Sequence, residues 1–568
     1  METSFRYPFD QNPHSVRACA ATISRYFHTL RYLKRSQIVG RLLHRLSRPQ
    51  PDLRSAPPLR NRAENRGIPG PAEPPCLLEK WRFRFLNEDH ALQSASDWNN
   101  PHWEKLWLYN LHYFGDLNAA ESADRQHRHQ ELIEKWIREN LPGHGVGWDP
   151  YPTSLRIVNW IQWALRFGAL SGNAAQSLAV QTRWLRRRLE CHLLGNHLFA
   201  NAKALVFAGL FFDGEEADRW LRQGLTLLDS QIGEQILADG GHFERSPMYH
   251  SMILEDVLDL ISLFRVFDRK TPEQWLDAVT RMHRWLRVMT HPDGNISFFN
   301  DAAVGVAASP AELDEYTSRL ALEPPEPSGA GLTLLEDSGY ARLRAGQATL
   351  LVDVAPVGPD YLPAHAHADA LSFELSADSR RVLVNSGTSV YGNGAERKRQ
   401  RGTAAHNTVC INDEDSSEVW DAFRVARRAR VFNVESASDD TLHIAAAHDG
   451  YRHLFGRPIH RRRWAMTENE LIVEDGISGT GIHKIEIRFH AHPEFAIHKA
   501  TGNRFEFRDA ADSTVLEMQL DDQLASRIEA SSYHSEFGLS QPNQVVSGVF
   551  IGALPIKLSS RMAWPRDG

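Results

Sequence analysis

The stretch HAHADALSFEL, residues 365–375, alternates apolar and polar side chains. Alternation at period two marks a half-buried strand, because successive side chains leave opposite faces of a pleated backbone. Read this way, His365 and His367 share one face, with Asp369 two residues on. Two imidazoles and a carboxylate on one side are either a polar solvent face or a metal ligand beside a catalytic base. Outward from this stretch the same period persists. YARLRAG, ATLLVDVAPV, RRVLVNSG, ELIVEDGISG and KIEIRFHAH are short alternating runs split by turn residues. Many short strands with few helices predict an antiparallel β-sandwich over 329–568.

Before it the period changes. HQELIEKWIREN, SLRIVNWIQWALRFGAL, NHLFANAKALVFAGLFF and MILEDVLDLISLFRVF place apolar residues three and four apart, the spacing of a buried helical stripe. A helical domain is therefore expected over 78–328. A chain of 568 residues is too long for one core, so two or three domains are expected.

The first 77 residues differ from both. Residues 1–70 hold 13 Lys+Arg against 4 Asp+Glu, a net +9, which leaves -16 of the total -7 for the remainder. YFHTLRYLKRSQIVGRLLHRLSRP is a basic amphipathic helix candidate. It either lies on an anionic membrane surface or docks its apolar face on the protein's own body, and the second is the expectation. RPQPDLRSAPPLRNRAENRGIPGPAEPP, rich in Pro and Arg, reads as a linker. There is no run of eighteen apolar residues and no apolar leader, and the four cysteines lack metal-type spacing. These features predict a cytoplasmic protein without a disulfide framework or nucleic-acid partner.

Four polar clusters interrupt these patterns. GNHLFANAKAL sets Asn196 and His197 at the start of an apolar helix, GGHFERSPMYH carries His242, Glu244, Arg245, Tyr249 and His250, and GWDPYPTSLRIVNW offers Trp148, Tyr151 and Arg156. Aromatics suit sugar stacking and arginines suit carboxylates. The β region adds His365, His367 and Asp369, then Asn385, Tyr391 and His406. Structural roles, such as Asn196 as a helix cap or Trp160 in a core, compete at each position.

GNHLFANAKALVFAGLFF, DGGHFERSPMYH, HAHADALSFEL and RGTAAHNTV, in this order, resemble the heparinase II/III family of polysaccharide lyases. HTLRYLKRSQIVGRL with GWDPYPTSLRIVNW further resembles a branch linked to bacterial exopolysaccharide or capsule loci. The resemblance implies an N-terminal α/α toroid followed by a β-sandwich, and β-elimination next to a uronic acid. By position it implies that Asn196 and His197 neutralise the uronate carboxylate, Tyr249 acts as acid or base, and His365 is a second base. His367 and His406 match histidines that hold a structural zinc. Asn385 falls where zinc-bearing members have an aspartate, and a carboxamide is a poorer zinc ligand than a carboxylate; Asp369 is the substitute candidate. Trp148, Tyr151, Arg156, His242, Glu244, Arg245 and Tyr391 are expected to line a cleft for an acidic polysaccharide. Two other function classes remain: a glycoside hydrolase with Glu244 and Asp301 as its carboxylates, and a non-catalytic accessory protein of polysaccharide biosynthesis.

Overall fold

A computed structural model describes residues 16–565 apart from 48, 62–69, 169, 325, 327, 328 and 440, with side chains from residue 22. Among the described residues eleven α-helices come before the β region: α1 (Val16–Leu30), α2 (Arg35–Leu46), α3 (Lys105–Tyr113), α4 (Gln126–Glu139), α5 (Pro150–Phe167), α6 (Gly172–Arg187), α7 (Gly195–Phe211), α8 (Glu215–Gln235), α9 (Pro247–Val266), α10 (Glu273–Val288) and α11 (Pro310–Arg319). From α3 onward they pack as successive hairpins about one apolar core, the arrangement of an incomplete toroid. α7 is apolar on every side because α5, α8 and α9 surround it. A Cβ on Gly209 would lie 2.5 Å from the Leu221 backbone nitrogen, so the α7–α8 crossing needs glycine there.

The basic arm departs from expectation. It is two helices, broken at residues 31–34, and its apolar face does not dock. Polar groups dock instead: Arg25 pairs with Glu418 at 2.8 Å, Trp420 Nε1 donates to Thr29 at 3.1 Å, and Gln37 donates to the Tyr361 carbonyl at 3.1 Å. The described part of the expected linker is tied to the toroid, where Arg183 donates to the carbonyls of Arg54 and Ser55; its residues 62–69 lie outside the described set.

Among the described residues the β region holds three large antiparallel sheets, a two-stranded ribbon (Val419–Trp420 with Arg424–Val425) and a short helix, α12 (Ala395–Arg401). One is a sequential five-stranded meander from Gly331–Leu335 to Arg380–Leu383; the others have four and eight strands, and their inner faces share one core. The opening stretch is only partly strand: Phe373–Ala377 pairs in the meander, whereas 365–372 is loop. Arg401 binds the Ala366 carbonyl through Nε and Nη2 at 3.0 and 2.9 Å, and Ala368 N–H donates to the Arg401 carbonyl at 2.8 Å. The first part of that loop therefore pairs with α12, and only Leu371 and Ser372 reach the sheet, at Asp353.

The two domains meet in a packed interface. Trp285, Val288, Met289 and Phe299 from the helical side share a small core with Leu335, Tyr340, Leu351 and Ala355. Beside it His291 bonds Glu374 at 2.9 Å and Ser376 at 2.8 Å, all fully buried.

Buried histidines give the fold a pH limit. Burial depresses His112, His250 and His490 to about 3, so each is neutral in the fold but protonates near pH 6.5 once unfolded. Between these values the unfolded chain binds more protons. The stability they provide is complete above pH 6.5 and is lost as pH falls, by about 1.4 kcal/mol per pH unit for each histidine. The melting temperature should fall between pH 7 and pH 5; a flat profile over that range would contradict neutral burial.

Candidate active site

Two helix starts deliver the site from the helical domain. Ser246 Oγ accepts the Tyr249 N–H at 3.2 Å and Pro247 opens α9, fixing Tyr249 in its first turn. α7 opens at Gly195 (φ 56°) behind Leu194 (φ 66°), and the two turn the chain so that Asn196 N–H faces Glu244 Oε1 at 3.4 Å. A Cβ on Gly195 would stand 2.3 Å from that oxygen, so the close approach needs glycine. The helix N-terminus favours the carboxylate electrostatically, yet burial raises the Glu244 pKa.

The β domain supplies the opposite wall. The His365 ring lies over the Tyr249 ring with centroids 3.9 Å apart, and the Tyr249 hydroxyl bonds the Tyr391 hydroxyl at 2.9 Å. His365 Nδ1 faces Asp301 Oδ2 at 2.9 Å, and its Nε2 points toward Glu244 Oε2 at 3.5 Å. Since an ionised carboxylate only accepts, Nδ1 donates to Asp301, and Nε2 is the nitrogen turned toward Glu244 and the cleft.

Asp301 is the hub. It is fully buried and also accepts from His367 Nε2 at 2.9 Å and from both terminal nitrogens of Arg397, one at 2.7 Å. Burial alone would raise its pKa, but the Arg397 charge and the histidine hydrogen bonds hold it well below the carboxylate range. Asp301 is thus a fixed anion with every lone-pair direction in use, and it cannot serve as a glycosidase carboxylate opposite Glu244.

His197 completes the set. Its Nδ1 bonds Glu190 at 3.1 Å and its ring packs on Tyr151 with centroids 4.5 Å apart. Burial depresses its pKa, but the Glu190 charge and hydrogen bond outweigh that and raise it above the ordinary value. Burial drives the Tyr249 hydroxyl far above the usual tyrosine range, and Tyr391 and Asp301 add to the shift.

Four expected cleft residues lie elsewhere. Trp148 is core, packed between Trp136 and Trp184. Arg156 is wholly buried, donating to Gln181 at 2.9 Å and the His112 carbonyl at 3.2 Å, with its guanidinium 3.9 Å from the centre of the Trp136 ring. His242 is also wholly buried and bonds Gln235 at 3.0 Å. Arg245 is nearly buried, at φ 58°, and is spent on main-chain carbonyls of Ser338, Asp337 and Phe243; it ties the domains together instead of facing a ligand. Asn196, His197, Tyr249 and His365 do come together, with Tyr151, Glu244 and Tyr391 around them. Sequence reasoning missed Glu190 and Arg397, and it gave Asp301 the wrong role. A carboxylate seven residues before His197 and the cation run in GAERKRQRG were the available signals.

A second buried group lies behind His365. His367, Asp369 and His406 place one ligand atom each within 4.8 Å of one another. His367 Nε2 is taken by Asp301 and His406 Nδ1 by Asn385 Oδ1 at 3.1 Å. The remaining nitrogens, His367 Nδ1 and His406 Nε2, are buried without a partner. Orphaned lone pairs beside a carboxylate are the donor set a divalent cation takes. Asn385 Oδ1 meets His406 Nδ1 from behind, and Asp369 is the carboxylate of the group.

Comparison with known proteins follows this geometry. Profiles described as Heparinase II/III N-terminus and Heparinase II/III-like, C-terminal match residues 174–321 and 327–560. FtsZ-localized protein C of Caulobacter vibrioides is 25% identical over 411 residues, covering 68% of this chain and 69% of that protein. A heparin-sulfate lyase of Bacteroides stercoris is 27% identical over 246 residues, 39% of this chain and 36% of the lyase. The chain thus matches little more than a third of that lyase's length. A solved heparinase III shares the fold with a TM-score of 0.64 at 16% identity, covering 93% of this chain and 88% of that one.

Proposed function

The chain belongs to the heparinase II/III family, and from that premise we propose that it is a polysaccharide lyase acting on a uronate-containing chain by β-elimination. The observation that carries the reading is the meeting of Tyr249 and His365, from different domains, at 3.9 Å between ring centres. Chemistry on one sugar ring needs its proton-transfer groups within a few ångströms of C5 and O4, and here an inter-domain contact supplies that.

The roles follow from the protonation states. The substrate carboxylate would lie against Asn196 and His197. The Glu190 carboxylate favours the protonated form of His197, and the Asn196 carboxamide has no hydrogen-bond partner among the described residues and is free to donate. His365 Nε2 takes the C5 proton, and the electrons of that bond form the C4–C5 double bond. The C4–O4 bond breaks, and O4 takes a proton from Tyr249, whose high pKa suits it as donor and not as resting base. With Arg156 and Arg245 accounted for elsewhere, the permanent cations near the cleft are Arg397, 4.9 Å from the centre of the Tyr391 ring, and Lys105, whose charge is felt at His197.

A panel of acidic polysaccharides, heparan-type and alginate-type included, tests this. Cleavage should create the ultraviolet absorbance of a double bond conjugated with the carboxylate. New reducing ends without that absorbance would show hydrolysis and defeat the reading.

We also propose that His367, Asp369 and His406 hold one divalent cation, zinc by ligand type, which braces the loop carrying His365. Elemental analysis should find about one zinc per chain, and a chelator should lower the melting temperature by several degrees. Metal-free protein whose melting ignores both chelator and added zinc would end this proposal. Cytoplasmic placement is likewise a proposal, supported by Cys76, Cys191 and Cys410 standing unpaired.

A further inference from the structure

We infer that α1 and α2 form a docking surface for an anionic lipid bilayer. The two helices are held to the body by their polar side, and their apolar side faces outward. Ile23, Phe27 and Leu30 make one stripe, 64%, 60% and 49% exposed; Ile38, Leu42 and Leu46 make the next, 50%, 57% and 77% exposed. Their spacings of three and four residues put each set on a single helix face. Two adjacent stripes of this size on a surface otherwise rich in charge mark an interaction site.

Charge identifies the occupant. Residues 11–51 contain eight Lys+Arg and no Asp or Glu. Arg35, Arg41 and Arg45 flank the second stripe, exposed and without an ion-pair partner among the described residues. A second copy of the arm would set these cations against their own kind. An anionic headgroup layer would meet them while the aliphatic side chains enter the acyl boundary, the way interfacial helices bind. Among the described residues no helix is long and apolar enough to cross a membrane, so the contact would be peripheral. The arm also bridges the domain seam. It touches Glu418 and Trp420 on one side and, through Gly40, His192 on the other, five residues before His197. This inference does not depend on the lyase chemistry.

The test is flotation of the full chain with vesicles of phosphatidylcholine alone and of equal parts phosphatidylcholine and phosphatidylglycerol. The chain should float with the mixed vesicles only, and less as salt is raised. Leu42→Glu with Leu46→Glu, and Arg35→Glu with Arg45→Glu, should each cut the bound fraction about tenfold or more while leaving the melting temperature unchanged. No flotation with mixed vesicles, or equal binding by the Leu42→Glu/Leu46→Glu chain, would overturn the inference. A concentration-dependent dimer abolished by that same pair would overturn it in favour of a second copy.

Discussion

Asp301→Asn should lower turnover on a competent polysaccharide by about three to four orders of magnitude, the scale seen when the carboxylate orienting a catalytic histidine is lost. The substitution preserves shape but removes the charge and half of the acceptor capacity. His365 Nδ1, His367 Nε2 and two nitrogens of Arg397 converge on this side chain, and an amide nitrogen cannot accept from any of them. His365 is then free to place its proton on Nε2, where a base needs a lone pair. The same change leaves the Arg397 guanidinium buried without a counter-charge, which should destabilise the fold by about 3–5 kcal/mol. The two consequences separate experimentally. Well below its lowered melting temperature the variant is folded, and a purely structural Asp301 would then leave activity per folded molecule within about tenfold of the parent. Such a result would remove Asp301 from the proton-transfer machinery.

The division into a helical and a β domain was legible because it rests on side-chain period, which burial imposes on every element. The reading of His365 and His367 as neighbours on a strand succeeded for the wrong reason. Both rings turn the same way because both bind Asp301, 64 and 66 residues earlier in the chain, while the backbone between them is a loop held by Arg401. Arginines were the least legible residues. Arg156 and Arg245 look like anion ligands in sequence, but their partners are main-chain carbonyls and a side-chain amide brought close only by the fold. The arm misled in the other direction. Its amphipathic pattern was plain, but the pattern does not say which face meets the body, and Trp420, Tyr361 and Glu418 capture the polar one.

Tyr249→Phe should reduce turnover by about two to four orders of magnitude while the fold persists, since it removes one hydroxyl and a single hydrogen bond worth about 1 kcal/mol. The ring, and with it the stacking on His365, remains. Tyr391→Phe serves as the control, because it breaks the same 2.9 Å hydrogen bond and leaves the Tyr249 hydroxyl in place; its loss should be much smaller. The raised pKa makes a further distinction. If Tyr249 gives its proton to the departing oxygen, a substrate with an acidic aryl leaving group no longer needs that proton. The Tyr249→Phe chain should then recover most of its rate on the aryl substrate. If Tyr249 instead removes the C5 proton, the leaving group is irrelevant and the deficit stays. Near-parental turnover by folded Tyr249→Phe protein on the natural polymer would refute both roles, leaving His365 to carry proton transfer without it.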